Sequence, residues 1–153
     1  MPKHYVDTDE LLAGPFYAFG LLLIGLPMMD FATSIVPVHF ANLQWRFATL
    51  GLLSNFLMTP MLGLGVMIVT AAVREHRGTM RFFSIVSGVI ALSLIGMLVL
   101  FSLDAIQLNA SMPADQVASF RSAAAKAVAK HAAGIIVLAW MSVATWQVAS
   151  QRP

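Results

Sequence analysis

Four stretches of this 153-residue chain carry no charged side chain: Leu11–Met29, Phe47–Val73, Phe82–Leu103 and Ala132–Gln151. Each is close to the roughly 20 residues that an α-helix needs to cross the hydrocarbon core of a bilayer. The runs are too long for membrane strands and lack their alternation. A soluble fold is no alternative, because 59% of the chain is hydrophobic and only 10% is charged. An average soluble domain has about a quarter of its residues charged, and a fold this small leaves much of its surface exposed. The sequence therefore predicts a single all-α transmembrane domain, a four-helix bundle whose first partner is the lipid bilayer.

Charge placement orients the bundle. Arg74, Arg77 and Arg81 crowd the turn between the second and third spans, and positive residues in short loops favour the cytoplasm. This predicts a multi-pass protein of the bacterial inner membrane with both termini inside. Arg46, Arg121, Lys126 and Lys130 then lie outside, so the bias is modest. The N-terminal "MPKHYVDTDE" is more acidic than basic, unlike a cleaved signal peptide, so the first span is expected to be retained. The net charge of +2 is no sign of nucleic-acid binding. Asp104–Met112 reads as a short polar loop, followed by an Ala/Lys-rich helix over 113–131 that begins at Pro113 with Asp115 in its first turn. Val117, Phe120, Ala124 and Val128 share one face of it, and Ser122, Lys126 and Lys130 another. This helix either extends the last span or kinks near Gly134 and lies in the interface.

The stretch "NLQWRFATLGLLSNFLMTPMLGLG", Asn42 to Gly65, is the least ordinary. Trp45 and Arg46 form a headgroup-level anchor, an indole beside a guanidinium. Asn55 lies about two and a half turns further on, where an amide needs a hydrogen bond from a neighbouring helix or from freed backbone. Pro60 cannot donate to the carbonyl of Phe56 and should bend the span. Gly63 and Gly65 then admit a close neighbour. Packing is the plainer role for these residues, ahead of ligand binding. Ser84 with Gly88, and Ala125, Ala129 and Ala133, repeat small residues four apart, a further helix-contact spacing.

Asp30 and Asp104 end the first and third charge-free runs. With His39, Arg46 and His131 they form a candidate polar cluster at the outer interface, able in principle to relay protons or hold an ion. The plainer reading is that helices end where charges begin. The ion pair expected is Asp30 with Arg46, across the Pro37-containing connection, fixing that loop. No metal site is expected, since the histidines do not converge at one depth. Cysteine is absent, and no phosphate loop, nucleophile elbow or HExxH motif is present. No cofactor is predicted, and catalytic residues are not identified.

The first half resembles the small HpsJ-like membrane proteins linked with cyanobacterial hormogonium polysaccharide and exosortase systems. The resemblance rests on Asp30 and Phe31 at the end of the first span, Pro37 in the connection, and Asn42 and Trp45 after it. Gly51, Leu53, Pro60, Leu62, Gly63 and Leu64 then match the family's second span. Val38 stands where that family tends to have a second proline, and neutral Ser54–Asn55 where it tends to have a charge. The resemblance implies an accessory role near polysaccharide export or assembly, without catalytic residues. From the residues themselves, the expectation is a non-enzymatic subunit that packs against other membrane proteins. Its complex would serve polysaccharide export or energy conversion by pigment–protein assemblies. The alternative is a small transporter or ion-conducting homo-oligomer using Asn55 and Thr59.

Overall fold

The computed structural model describes the backbone of residues 8–151 and the side chains of residues 12–151. The N-terminal segment 1–10 with His4, from which a retained first span is expected, lies mostly outside the described residues. Five helices make up the described chain: α1 (Thr8–Ser34), α2 (Leu43–Phe56), α3 (Met58–Val73), α4 (Arg77–Ser111) and α5 (Val117–Ser150). Three are long and apolar enough to cross a membrane: Leu12–Ser34 of α1, α4 and α5. Their outward surfaces are apolar, with Leu21, Leu92, Ile136 and Trp140 each more than 60% exposed, as suits a chain whose solvent is lipid.

The expected second span is two helices. α2 and α3 meet at Leu57 with a 43° bend. Pro60 is the third residue of α3 and leaves the carbonyl of Phe56 without its intrahelical donor. Leu57 itself keeps helical angles, φ −67° and ψ −38°. The chain is therefore bent rather than unravelled there.

Three other boundaries move. α1 runs past Asp30 to Ser34, so Asp30 is a helical residue. The hydroxyls of Thr33 and Ser34 donate to the Asp30 carbonyl at 3.0 and 2.7 Å, satisfying backbone that the helix end would leave open. α4 also continues, through the expected loop Asp104–Met112 as far as Ser111. Pro113–Gln116 form a turn, closed by the Gln116 N–H on the Pro113 carbonyl at 3.0 Å, and α5 starts only at Val117. Hence Asp115 does not sit in the helix's first turn. α5 is continuous through Gly134, which excludes a kinked interfacial segment. At 1.5 Å per residue α4 and α5 are each about 50 Å long, roughly 20 Å more than a hydrocarbon core.

α4 and α5 pair along this length as an antiparallel hairpin. Ser84 faces Ser142, Leu94 faces Gly134, Phe101 faces His131 and Asn109 faces Arg121. The serines clasp reciprocally: Ser84 Oγ donates to the Ser142 carbonyl at 2.7 Å, and Ser142 Oγ to the Ser84 carbonyl at 2.8 Å. A Cβ at Gly88 would stand 3.0 Å from Ser142 Oγ, so the Ser84/Gly88 spacing is a helix contact. The Ala125, Ala129 and Ala133 stripe is not one within this chain, because it faces outward while Ala127, His131, Gly134 and Leu138 face in. Val117, Phe120, Ala124 and Val128 are half-buried and Lys126 and Lys130 exposed, as the helical pattern predicts.

α1 lies on α3, and among the described residues its backbone comes close only to α3 and α2. The approach is close because two glycines meet there. A Cβ at Gly63 would come within 2.5 Å of the Gly20 carbonyl oxygen and 2.9 Å of Leu23 Cβ. The core joins all the elements through Leu53, Leu57, Leu64, Met67, Phe83, Leu94 and Leu138, with Tyr17 and Ile24 of α1 packed on it. The α3–α4 turn reverses within three residues. The His76 N–H bonds the Ala71 carbonyl and the Glu75 N–H the Ala72 carbonyl, with Glu75 at φ 54°. That is a Schellman closure with a glutamate in the left-handed position usually given to glycine.

Candidate polar site at the ends of α2, α4 and α5

Asn42 caps α2, its side-chain oxygen accepting the Trp45 N–H at 3.0 Å. That cap starts the helix so that Arg46 points at α4. Arg46 Nε and Nη2 donate to the two oxygens of Asp104 at 3.1 and 2.8 Å. The fork-to-fork geometry uses both partners' planar groups. The Asp104 side chain is 5% exposed and that of Arg46 37%. A buried carboxylate is thus held by a guanidinium that keeps one edge at the surface. The expected pair, Asp30 with Arg46, does not form. Asp30 is exposed on α1, and what Arg46 fixes in the connection is the Phe40 carbonyl, through Nη1 at 3.1 Å. His39 is exposed in that connection and Pro37 follows a cis peptide bond. Trp45 packs edge-on against Phe40, with ring centroids 5.5 Å apart.

Beside the ion pair stands an aromatic stack that composition alone did not reveal. Phe47 stacks between Phe101 and Phe120, with centroids at 4.6 and 5.0 Å. Phe101 in turn lies against His131 at 6.0 Å. Phe101 and Asp104 are neighbours one helical turn apart on α4, as Arg46 and Phe47 are adjacent on α2. One pair of elements therefore aligns an ionic layer over an aromatic layer. The signal was present as Arg-Phe in one helix and Phe-x-x-Asp in the other.

His131 is fully buried. Its Nδ1–H donates to the Ala127 carbonyl at 2.9 Å, which leaves Nε2 as a bare acceptor. No group among the described residues bonds it. Of the five residues expected to cluster, the structure brings Arg46, Asp104 and His131 together through Phe101 and Phe47. Asp30 and His39 stay apart. An orphaned buried acceptor costs about 1–3 kcal/mol, so His131→Leu, similar in volume, is expected to hold or raise the melting temperature in detergent. A clear fall would mean that Nε2 has a partner in the native protein.

Asn55 is not buried among helices. It lies on the exposed surface, where its Oδ1 accepts from Lys130 Nζ at 2.6 Å. The interhelical bond expected of it exists, but with a cation of α5. Gly63 makes the close approach described above. Gly65 does not, since a Cβ there would meet only Met141 Cε at 3.9 Å. At the other end of the bundle Tyr17 Oη and His76 Nδ1 are 3.3 Å apart, a contact between α1 and the α3–α4 turn. Among the described residues no three histidine, cysteine or acidic side chains converge as a metal site would require. The chemistry of the paired groups is that of fastening: Arg46 Nε and Nη2 bond Asp104 across the α2–α4 contact, and Nη1 bonds the Phe40 carbonyl of the preceding connection. Compared with protein-family models, curated proteins and solved structures, the chain matches none.

Proposed function

We propose that this chain is a non-enzymatic accessory subunit of the bacterial inner membrane, with four spans when the bent α2–α3 pair is counted as one and with both termini inside. In this reading it packs against and stabilises a larger membrane complex. Polysaccharide export or assembly is the setting that the resemblance over Asp30–Gly65 suggests.

The observation that carries the reading is Lys130 on Asn55. Lys130 adjoins the charge-free part of α5, and its ammonium turns to an amide two residues before Leu57, beside Gly134. The Phe101–His131 contact sets this level about one turn deeper than Asp104. A lysine here would ordinarily extend its chain toward the headgroups. Instead it remains on the outer face of the bundle with donors beyond the one that Asn55 accepts. A cation held at that depth is a default functional position, and an acceptor on a neighbouring membrane protein would complete it. Asn55 and Thr59 both face outward, so a transport path built from them would need a homo-oligomer.

The same experiment separates the two. Purified from native membranes in mild detergent, the wild-type chain should retain a distinct membrane protein at fixed stoichiometry. Lys130→Ala and Asn55→Leu should release it while the melting temperature of the chain changes little. A homo-oligomer alone, unaffected by either substitution, overturns the accessory reading.

A further inference from the structure

α1 and α5 flank one face of α3, and their backbones do not approach each other closely among the described residues. The gap between them is a lateral groove of about 820 Å³. Leu12 and Phe16 form one wall, Val137 and Met141 the other, and α3 supplies the floor from Met58 to Arg74. Among the described residues that line it, the only polar side chains are Thr70 and Arg74, and the Thr70 hydroxyl is turned to the Val66 carbonyl at 2.8 Å. The groove is thus apolar along its length and cationic at one end.

We propose that this groove holds a phospholipid with an anionic headgroup, an acyl chain lying along α3 and the phosphate at Arg74. The floor from Met58 to Arg74 is about 24 Å long at helical rise. An acyl chain is a single file of methylenes, and a groove in the range of about 300–1,000 Å³ is sized for molecules of that kind. Met58, Met61 and Met141 give walls that adapt to a flexible tail. Charge argues for an anionic head. Arg74 is half-buried at the mouth, Arg77 and Arg81 follow in the first two turns of α4, and Glu75 is the acid between Arg74 and Arg77. The guanidinium forks onto phosphate oxygens as a neutral side chain would not.

The test uses the full chain reconstituted in phosphatidylcholine vesicles with tail-spin-labelled phosphatidylglycerol or tail-spin-labelled phosphatidylcholine. The motionally restricted fraction is read by electron paramagnetic resonance. At low salt phosphatidylglycerol should be preferred about fivefold, the effect of one well-placed cation near the surface. Arg74→Gln should remove most of that preference. Arg81→Gln, near the start of α4 but outside the groove, should keep most of it. Gly65→Leu fills the groove without changing charge, since little but Met141 Cε lies near its Cβ position, and should lower the restricted fraction of both lipids. Val137→Trp should do the same if Gly65→Leu fails to fold. Equal restriction of the two lipids, an equal effect of Arg81→Gln and Arg74→Gln, or no effect of filling the groove overturns the proposal. So does a dimer that dissociates when the groove is filled.

Discussion

Arg46→Met should lower the melting temperature in detergent by about 10 °C, and adding Asp104→Leu should restore most of that loss. The expectation follows from what each single change leaves behind. Asp104 is nearly fully buried, and both its oxygens rest on Arg46. Taking away the guanidinium leaves a carboxylate in a low-dielectric layer over Phe101 and Phe47, without the donors that made ionisation tolerable. A stranded buried charge of this kind costs about 3–5 kcal/mol, and in a chain of this size 1 kcal/mol moves the midpoint by about 2–4 °C. Replacing both partners with apolar side chains removes the cost, because buried ion pairs contribute little beyond apolar packing of the same volume. Asp104→Leu alone should fall between the two, since Arg46 keeps an edge at the surface and its bond to the Phe40 carbonyl. Equal losses for both single changes and for the double change would show that the layer is held by packing and that the pair adds nothing.

The identity of the partner was the unreadable part of this layer. Arg46 and Asp104 both stood out as charges bordering apolar runs, and so did Asp30. Asp30 is the acid nearest to Arg46 in sequence, but proximity in sequence decides contacts within a loop and not between helices. The structure decides otherwise because α1 does not stop at Asp30: no proline intervenes before Pro37, and the Thr33 and Ser34 hydroxyls close the extra turn. α4 likewise runs through Asp104, carrying it into the α4–α5 hairpin. Charge-free windows mark where hydrocarbon begins and ends; they do not mark helix ends, and the two differ here by eight residues at the end of α4 and by fifteen at the start of α5. The bend, by contrast, was legible from Pro60, because a missing N–H acts locally wherever the helix packs. Gly63 was legible as a contact, but its partner Gly20 was not, for a glycine in an apolar run carries no mark of what it faces. The outward direction of Asn55 was hidden for the same reason: helical phase shows which residues share a face, and the neighbours decide which face is covered.

Gly63 and Gly65, two residues apart on one helix, should answer the same substitution in opposite senses. Alanine gains about 1 kcal/mol over glycine in a helix interior, so each change begins with a stabilising contribution. At Gly65 nothing opposes it, the nearest atom to a new Cβ being Met141 Cε at 3.9 Å, and Gly65→Ala should hold or slightly raise the melting temperature. At Gly63 the new methyl would stand 2.5 Å from the Gly20 carbonyl oxygen and 3.0 Å or less from Leu23 Cβ and Ile24 Cγ1. Backbone and Cβ atoms cannot swing aside as the end of a methionine can, so α1 must retreat from α3 along its whole contact. Overpacking that forces the backbone to shift costs about 1–3 kcal/mol, occasionally more. With backbone and a Cβ in the way the cost lies at the upper end and outweighs the propensity gain by about 2 kcal/mol, so the midpoint for Gly63→Ala should fall by about 4–8 °C. Hydrogen exchange in the same detergent would locate the damage. The α1 backbone comes close only to α3 and α2, so its amides should lose protection while those of the α4–α5 hairpin, clasped by Ser84 and Ser142, keep theirs. Uniform loss across all five helices would mean that α1 is integral to the core, and no change at Gly63 would remove the glycine contact as the reason α1 stays attached.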